Sequence, residues 1–315
     1  MTTAQPYLDP NSFEHKFVQT QGIRYHYVEA GDPKGEPLLF IHGFPELWYA
    51  WRYQIKFFAE LGYRVLALDT LGYGQTDAPM ELHKYGFKSQ IEQWIGILDT
   101  LDIPKVTLMG HDWGGAFVWR FGLYHPERLN GIISVCTPYN APVPVFMSLE
   151  DIVKRVPNFQ YQLTMADPAT LQTVDADKEK FFRPLMSTGG YSHETEIDYV
   201  LKEFSRTGMR GPLNYYKTHR INFDDEISSL PNPHQHNIHL PCWIITATHD
   251  IYLKPAMSQG MEKYIPGLKR AEVEAGHWCM AEKAEDVNRL LKVAIEDVLE
   301  RAKQDKADVG TKASL

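Results

Sequence analysis

The chain has 315 residues, enough for one large α/β domain or for a core domain carrying an insertion. Hydrophobic residues make up 43% and charged residues 23%, the balance of an ordinary soluble globular protein, and the net charge of −8 leaves no basic surface suited to nucleic acid. Three cysteines, Cys136, Cys242 and Cys279, lie far apart with no C-x-x-C, which argues against a disulfide framework and a cysteine metal site and fits a reducing compartment.

From the N-terminus, Met1 to Tyr7 shows neither a basic start nor an apolar run, so no signal peptide is expected. Segments Lys16 to Thr20 and Arg24 to Glu29 predict an antiparallel hairpin around Gln21-Gly22. Apolar runs then read as buried strands at Pro37 to Ile41, Arg64 to Leu68, Val106 to Met109 and Ile132 to Cys136, and later at Cys242 to Thr246 and Ala271 to Val273. Leu47 to Leu61, Gln90 to Leu101, Gly115 to Gly122 and Glu285 to Arg301 read as helices. This alternation implies a mostly parallel sheet covered on both faces. It breaks after Thr137-Pro138: from Tyr139 to Asn237 the chain reads as helix and loop, rich in Pro and Tyr. An insertion there sits above the carboxyl ends of the strands, the edge where open α/β sheets bind ligands. The expected division is a core of residues 1–138 and 238–315 with a helical cap of residues 139–237. The last stretch, Arg301 to Leu315, is charged and polar and is expected to fray. No apolar stretch approaches membrane-spanning length, and Ala313-Ser314-Leu315 lacks the basic middle residue of a peroxisomal tripeptide, so a cytoplasmic location is expected.

The chemistry concentrates at four places. Gly110-His111-Asp112-Trp113-Gly114 has the G-x-nucleophile-x-G shape of a strand-to-helix elbow, with Asp in the middle instead of Ser. A serine there needs a base to take its proton, whereas an aspartate is ionised at neutral pH and attacks carbon directly. His42-Gly43-Phe44-Pro45-Glu46 follows a strand where hydrolases of this layout place one N–H of an oxyanion hole, the other coming from the residue after the nucleophile. Those donors are Phe44 and Trp113. Asp250, in Ala247-Thr248-His249-Asp250, and His277, in Ala275-Gly276-His277-Trp278, each follow a strand and complete the order nucleophile, acid, base.

At these residues the chain resembles the soluble epoxide hydrolases of the α/β-hydrolase superfamily, from about Phe13 to about Leu299. The resemblance implies a core sheet of roughly eight strands and an inserted helical cap whose two tyrosines point at the nucleophile. Phe159-Gln160-Tyr161-Gln162-Leu163 supplies Tyr161, and Arg210-Gly211-Pro212-Leu213-Asn214-Tyr215-Tyr216 supplies Tyr216 by its spacing from Leu213-Asn214, next to Tyr215. Large animal members carry an additional N-terminal phosphatase-like domain. This chain opens almost directly on the hydrolase core, so no second activity is expected.

The chemistry so implied needs no metal or organic cofactor. Asp112 opens the epoxide and becomes an alkyl ester, and Tyr161 and Tyr216 donate to the ring oxygen. Water activated by His277 then cleaves the ester, with Asp250 fixing the imidazole tautomer. The expected partners are an apolar epoxide and water, and the protein is expected to be a monomer or homodimer. A haloalkane dehalogenase uses the same acid, base and nucleophile but needs halide donors, typically an Asn where Phe44 stands. A fluoroacetate dehalogenase wants Arg where Trp113 stands. A catalytically silent binding protein of this fold and a serine esterase are further alternatives, opposed by the complete triad and by Asp112. Three histidines in His234-Gln235-His236-Asn237-Ile238-His239 suggest metal, but no carboxylate or cysteine completes a site. Asp224-Asp225-Glu226 reads as a solvated helix start.

Overall fold

The computed structural model describes residues 7–191, 193–230 and 236–313. A hairpin of β1 (Glu14–Thr20) and β2 (Ile23–Gly31) opens the fold. Its turn holds Gln21 at φ 48° and Gly22 at φ 77°, the pair of left-handed conformations that a tight two-residue hairpin requires. Six strands follow: β3 (Pro37–Ile41), β4 (Arg64–Leu68), β5 (Val106–His111), β6 (Leu129–Val135), β7 (Cys242–Ala247) and β8 (Lys269–Val273). They form one eight-stranded sheet in the order β1-β2-β4-β3-β5-β6-β7-β8. β2 runs antiparallel to both neighbours, and every pairing from β4 to β8 is parallel. β5, β6 and β7 are buried along their whole length. That is why their sequences are predominantly apolar and lack the alternation of a half-wet strand.

Helices cover both faces. α1 (Arg52–Glu60) packs on β2 and β4, α2 (Phe87–Thr100) on β1, and α3 (Trp113–Tyr124) on β5 and β6. Between β6 and β7 lie α4 (Leu149–Arg155), α5 (Gln160–Ala166), α6 (Pro168–Ala176), α7 (Lys178–Thr188), α8 (Glu194–Thr207), α9 (Arg210–Asn214) and α10 (His219–Ser229), with no strand among the described residues there. After β8 come the short α11 (Cys279–Glu282) and the long α12 (Ala284–Ala313), which lies against β6. No helix among the described residues is long and apolar enough to cross a membrane.

Three local expectations change. The helix expected from Leu47 begins only at Arg52: Leu47 is extended and Trp48–Trp51 form a single tight 3-10 turn. The Trp48 N–H is drawn to Asp69 Oδ1 at 3.1 Å, and both tryptophans are fully buried. α12 runs past Arg301 to Ala313, with Ser314 and Leu315 outside the described residues; Ala, Lys and Gln in that stretch are strong helix formers despite their polarity. Asp224-Asp225-Glu226 is not a solvated helix start. It lies in the middle of α10, where Asp224 is exposed and bonds Arg220, while Glu226 is 6% exposed and pairs with Arg120.

One contact ties the inserted helices to the sheet domain from beneath. Arg52 of α1 and Glu196 of α8 are both fully buried, with Nε 2.9 Å from Oε1, and the rings of Tyr49, Tyr53 and Tyr191 surround the guanidinium at 4.5 to 4.8 Å. A buried charge left without its partner costs far more than the pair itself contributes. Arg52→Met is expected to cost about 3–5 kcal/mol in urea unfolding, and adding Glu196→Leu to recover most of that loss.

Candidate active site

The centre of the site is a strained turn. β5 ends at His111, and α3 starts at Trp113 with Asp112 between them at φ 51° and ψ −118°. A non-glycine residue holds that conformation only when its surroundings enforce it. The glycines on either side do so by close approach. A Cβ on Gly110 would stand 2.3 Å from the Gly114 carbonyl oxygen, and one on Gly114 would stand 2.2 Å from that of Ile41. Thr137, just past β6, donates its hydroxyl to the Asp112 carbonyl at 2.8 Å. The Asp112 side chain is thereby lifted above the sheet at the carboxyl ends of the strands.

The loop after β3 comes up against that side chain. A Cβ on Gly43 would lie 2.3 Å from Asp112 Cβ, so only glycine lets the loop approach. The Phe44 N–H donates to Asp112 Oδ1 at 2.8 Å, and the Trp113 N–H also favours the charged carboxylate. Burial raises the Asp112 pKa above the ordinary carboxylate value, against the pull of His277, His111 and these two N–H groups. His42 fixes the loop from below. It is buried, its Nδ1 is 2.8 Å from Gly43 O, its Nε2 accepts from Thr70 N at 3.0 Å, and burial holds it neutral.

Asp250 and His277 arrive from the loops after β7 and β8. His277 Nδ1 is 2.7 Å from Asp250 Oδ2, and Nε2 stands 3.7 Å from Asp112 Oδ2. The second distance exceeds a hydrogen bond, so the imidazole is turned toward Asp112 without being bonded to it. Asp250 Oδ1 accepts from the backbone of Tyr252 and of Leu253, each at 2.8 Å. Burial opposes the Asp250 charge, but the His277 contact and those donors outweigh it and hold its carboxyl below the ordinary range.

Tyr161 on α5 and Tyr216 in the turn after α9 face one another with ring centroids 6.3 Å apart. Tyr216 also meets Trp113 and Phe44 edge-on, at 5.1 and 5.4 Å. Burial first, and the charge of Asp112 second, push both phenols well above their ordinary pKa. The neighbour Tyr215 is committed elsewhere: its hydroxyl lies 2.8 Å from Leu71 O and 3.0 Å from Gln90 Oε1. Asp112, Trp113, Tyr161 and Tyr216 line one cavity of about 530 Å³, within the range of small-molecule sites.

Several residues stand at this site without having been assigned a part in it. Glu46 and His111 lie inside the two motifs, and pair there at 2.8 Å, fully buried. Burial lowers the His111 pKa, but the Glu46 charge overcomes it and drives it up to about 10, so the ring is an imidazolium at neutral pH. Its Nε2 lies 2.8 Å from the His277 carbonyl, while Glu46 Oε2 also accepts from Gly43 N at 3.2 Å. This one pair therefore braces both the loop beside Asp112 and the backbone of His277. Tyr252 packs edge-on against His277 at 5.1 Å and Tyr161 at 5.5 Å. The signal for Glu46 and His111 was an acid and a base standing inside the two motifs beside the residues already singled out. Cys279 is buried in α11, its Sγ 4.0 Å from Cys136 Sγ. Among the described residues, donor atoms of His111, Cys136 and His277 lie close enough together for a metal, but both ring nitrogens of His111 are already engaged, by Glu46 and by the His277 carbonyl. Of the histidine-rich segment, His234 and Gln235 lie outside the described residues; His236 is buried and His239 exposed.

The model of the alpha/beta hydrolase fold family matches residues 36–284. Epoxide hydrolase srdG of Neurospora crassa is 32% identical over 325 residues, covering 90% of this chain and 95% of that protein. This chain belongs to the epoxide hydrolases of the α/β-hydrolase fold family. Bifunctional epoxide hydrolase 2 of Mus musculus is 36% identical over 317 residues, and there the match spans 90% of this chain but 55% of the relative, so the chain covers about half the length of that protein. Among solved structures, an epoxide hydrolase from Vigna radiata superposes with a TM-score of 0.81 at 25% identity, covering 91% of this chain and 99% of the other.

The charged pair beneath the site yields a pH test. A histidine whose pKa is raised on folding contributes stability that is complete below 6.5 and is lost as the pH climbs through about 10. Glu46, held below its ordinary value, contributes stability that is lost only in acid. The melting temperature is expected to fall between neutral pH and pH 10 more steeply in the native protein than in His111→Gln. Parallel slopes in thermal melts would remove His111 as a cation.

Proposed function

We propose that this epoxide-hydrolase family member converts an epoxide to a vicinal diol through a covalent ester on Asp112. The observation that carries the reading is one carboxylate with three kinds of neighbour: the Phe44 N–H on one oxygen, an acid-supported imidazole near the other, and two protonated phenols across the same cavity. Residues 1–138 and 238–315 act as the hydrolase core, and residues 139–237 act as the cap that brings the phenols.

In the first step Asp112 attacks a ring carbon from behind. The carbon–oxygen bond breaks, and the ring oxygen takes a proton from Tyr161 or Tyr216. An alkoxide is a poor leaving group, so a placed acid is needed. Both phenols keep their protons at neutral pH because burial and the Asp112 charge disfavour the phenolate. In the second step His277 takes a proton from water, and the resulting hydroxide attacks the ester carbonyl of Asp112. Asp250 holds the imidazole and balances the cation. The oxygen that gathers charge is Oδ1, which already accepts from the Phe44 N–H, and the Trp113 N–H favours the same carboxylate. Collapse expels the diol and restores the Asp112 carboxylate, the departing alkoxide taking the proton of the attacking hydroxide, and the proton held by His277 returns to the tyrosinate left by ring opening. Phe44 offers an apolar ring where a dehalogenase needs a halide donor, which favours the epoxide over a chloroalkane.

Styrene oxide and a chloroalkane, incubated separately with the protein, test the reading. Diol is expected from the first and no chloride from the second; chloride without diol would overturn it. His277→Gln is expected to accumulate an adduct heavier by one epoxide on intact-protein mass spectrometry, and turnover with no such adduct in that variant counts against the ester. Tyr161→Phe and Tyr216→Phe are each expected to slow ring opening in stopped-flow experiments. The double variant should lose about a hundredfold or more, the scale of general-acid catalysis.

A further inference from the structure

The cavity extends well past Asp112. Trp113, Ala116 and Arg120 line it from one face of α3, at the spacing of successive helical turns. Asp112 immediately precedes that helix, so at 1.5 Å per residue Arg120 stands about 12 Å further along. Phe87, Phe146 and Phe223 contribute apolar wall.

At this distant end the lining becomes polar. Arg120 Nε is 2.6 Å from Glu226 Oε1, and Nη1 donates to Asn140 O at 2.8 Å. The two side chains are only 13% and 7% exposed, and the rings of Phe87 and Tyr139 lie 5.5 and 6.0 Å from the guanidinium. Neither residue has a part in the chemistry at Asp112. A guanidinium has five N–H donors, so the contacts at Nε and Nη1 leave donor capacity. The pair is neutral as a unit, yet presents a strong donor beside a strong acceptor.

We propose that Arg120 and Glu226 read the far end of an elongated epoxide and select one that ends in a neutral hydrogen-bonding group, a hydroxyl above all. The inference rests on the epoxide-hydrolase reading of Asp112. A hydroxyl accepts from Arg120 and donates to Glu226 at once. A methyl group covers both without bonding either, and a site built to hydrogen-bond rejects an analogue lacking the group. A carboxylate only accepts, and it meets the negative charge of Glu226.

The test uses three medium-chain terminal epoxides with the ring at one end and a methyl, a primary alcohol or a carboxylate at the other: the terminal epoxides of decane, decanol and decanoic acid. Diol formation gives kcat/KM for each. The alcohol is expected to lead the alkane by about tenfold, the scale of a hydrogen bond to a charged group. Arg120→Gln should abolish that preference. Glu226→Gln should raise the acid by about tenfold against the alcohol, because it removes the opposing charge and keeps the shape. Each comparison is a ratio within one protein, so partial misfolding of a variant cancels. Equal kcat/KM for alcohol and alkane in the native protein would overturn the proposal, as would an acid preference unchanged by Glu226→Gln; in either case diol formation leaves the hydrolase reading standing. No diol from these three or from styrene oxide would overturn both.

Discussion

The site depends on a backbone held where an aspartate does not otherwise sit. Asp112 adopts φ 51° because β5, β3 and α3 converge there with only glycine hydrogens between them. That turn sends the carboxylate out of the sheet and leaves it at the N-terminus of α3, where unpaired N–H groups and the helix dipole favour negative charge. Burial works the other way and raises the Asp112 pKa. The balance suits a nucleophile: poorly solvated, oriented, and still able to ionise.

The carboxylate on the other side of His277 is treated in the opposite manner. Asp250 has its charge satisfied by two backbone donors and His277, and its pKa is pushed down. Two aspartates within one site are thus given opposite pKa shifts by surroundings alone. Beneath them the Glu46–His111 pair is a closed unit of charge whose hydrogen bonds reach both the Phe44 loop and the His277 backbone. It stabilises geometry on two sides of the reaction while adding little net field.

Much of this was visible in the order of residues, because strands buried on both faces announce themselves as apolar runs and the reactive groups follow their ends. Asp112, Asp250 and His277 all stand at such ends, and the structure brings them together. Side-chain pairings across long separations were not visible. Glu46 and His111 are 65 residues apart, and Arg120 and Glu226 are 106 apart. Locally, Asp224-Asp225-Glu226 is only an acidic run; one member is buried because α10 turns that position toward α3. The extension of α12 was hidden for a different reason. Polarity suggested a loose end, but helix propensity belongs to the backbone and rotamers, and Ala, Lys and Gln rank high in it.

The inserted helices leave the sheet after β6 and rejoin it at β7, and those two strands are direct neighbours in the sheet. Parallel neighbours always need a long crossing connection, so the insertion enlarges a segment the fold already had to provide. Its length and lining can drift over generations with no shift in strand register. Asp112, Asp250, His277 and the Phe44 loop all lie outside that segment. Tyr161, Tyr216 and Glu226 lie inside it, so a change in the insertion reshapes the wall facing Asp112 while the groups at the strand ends keep their places.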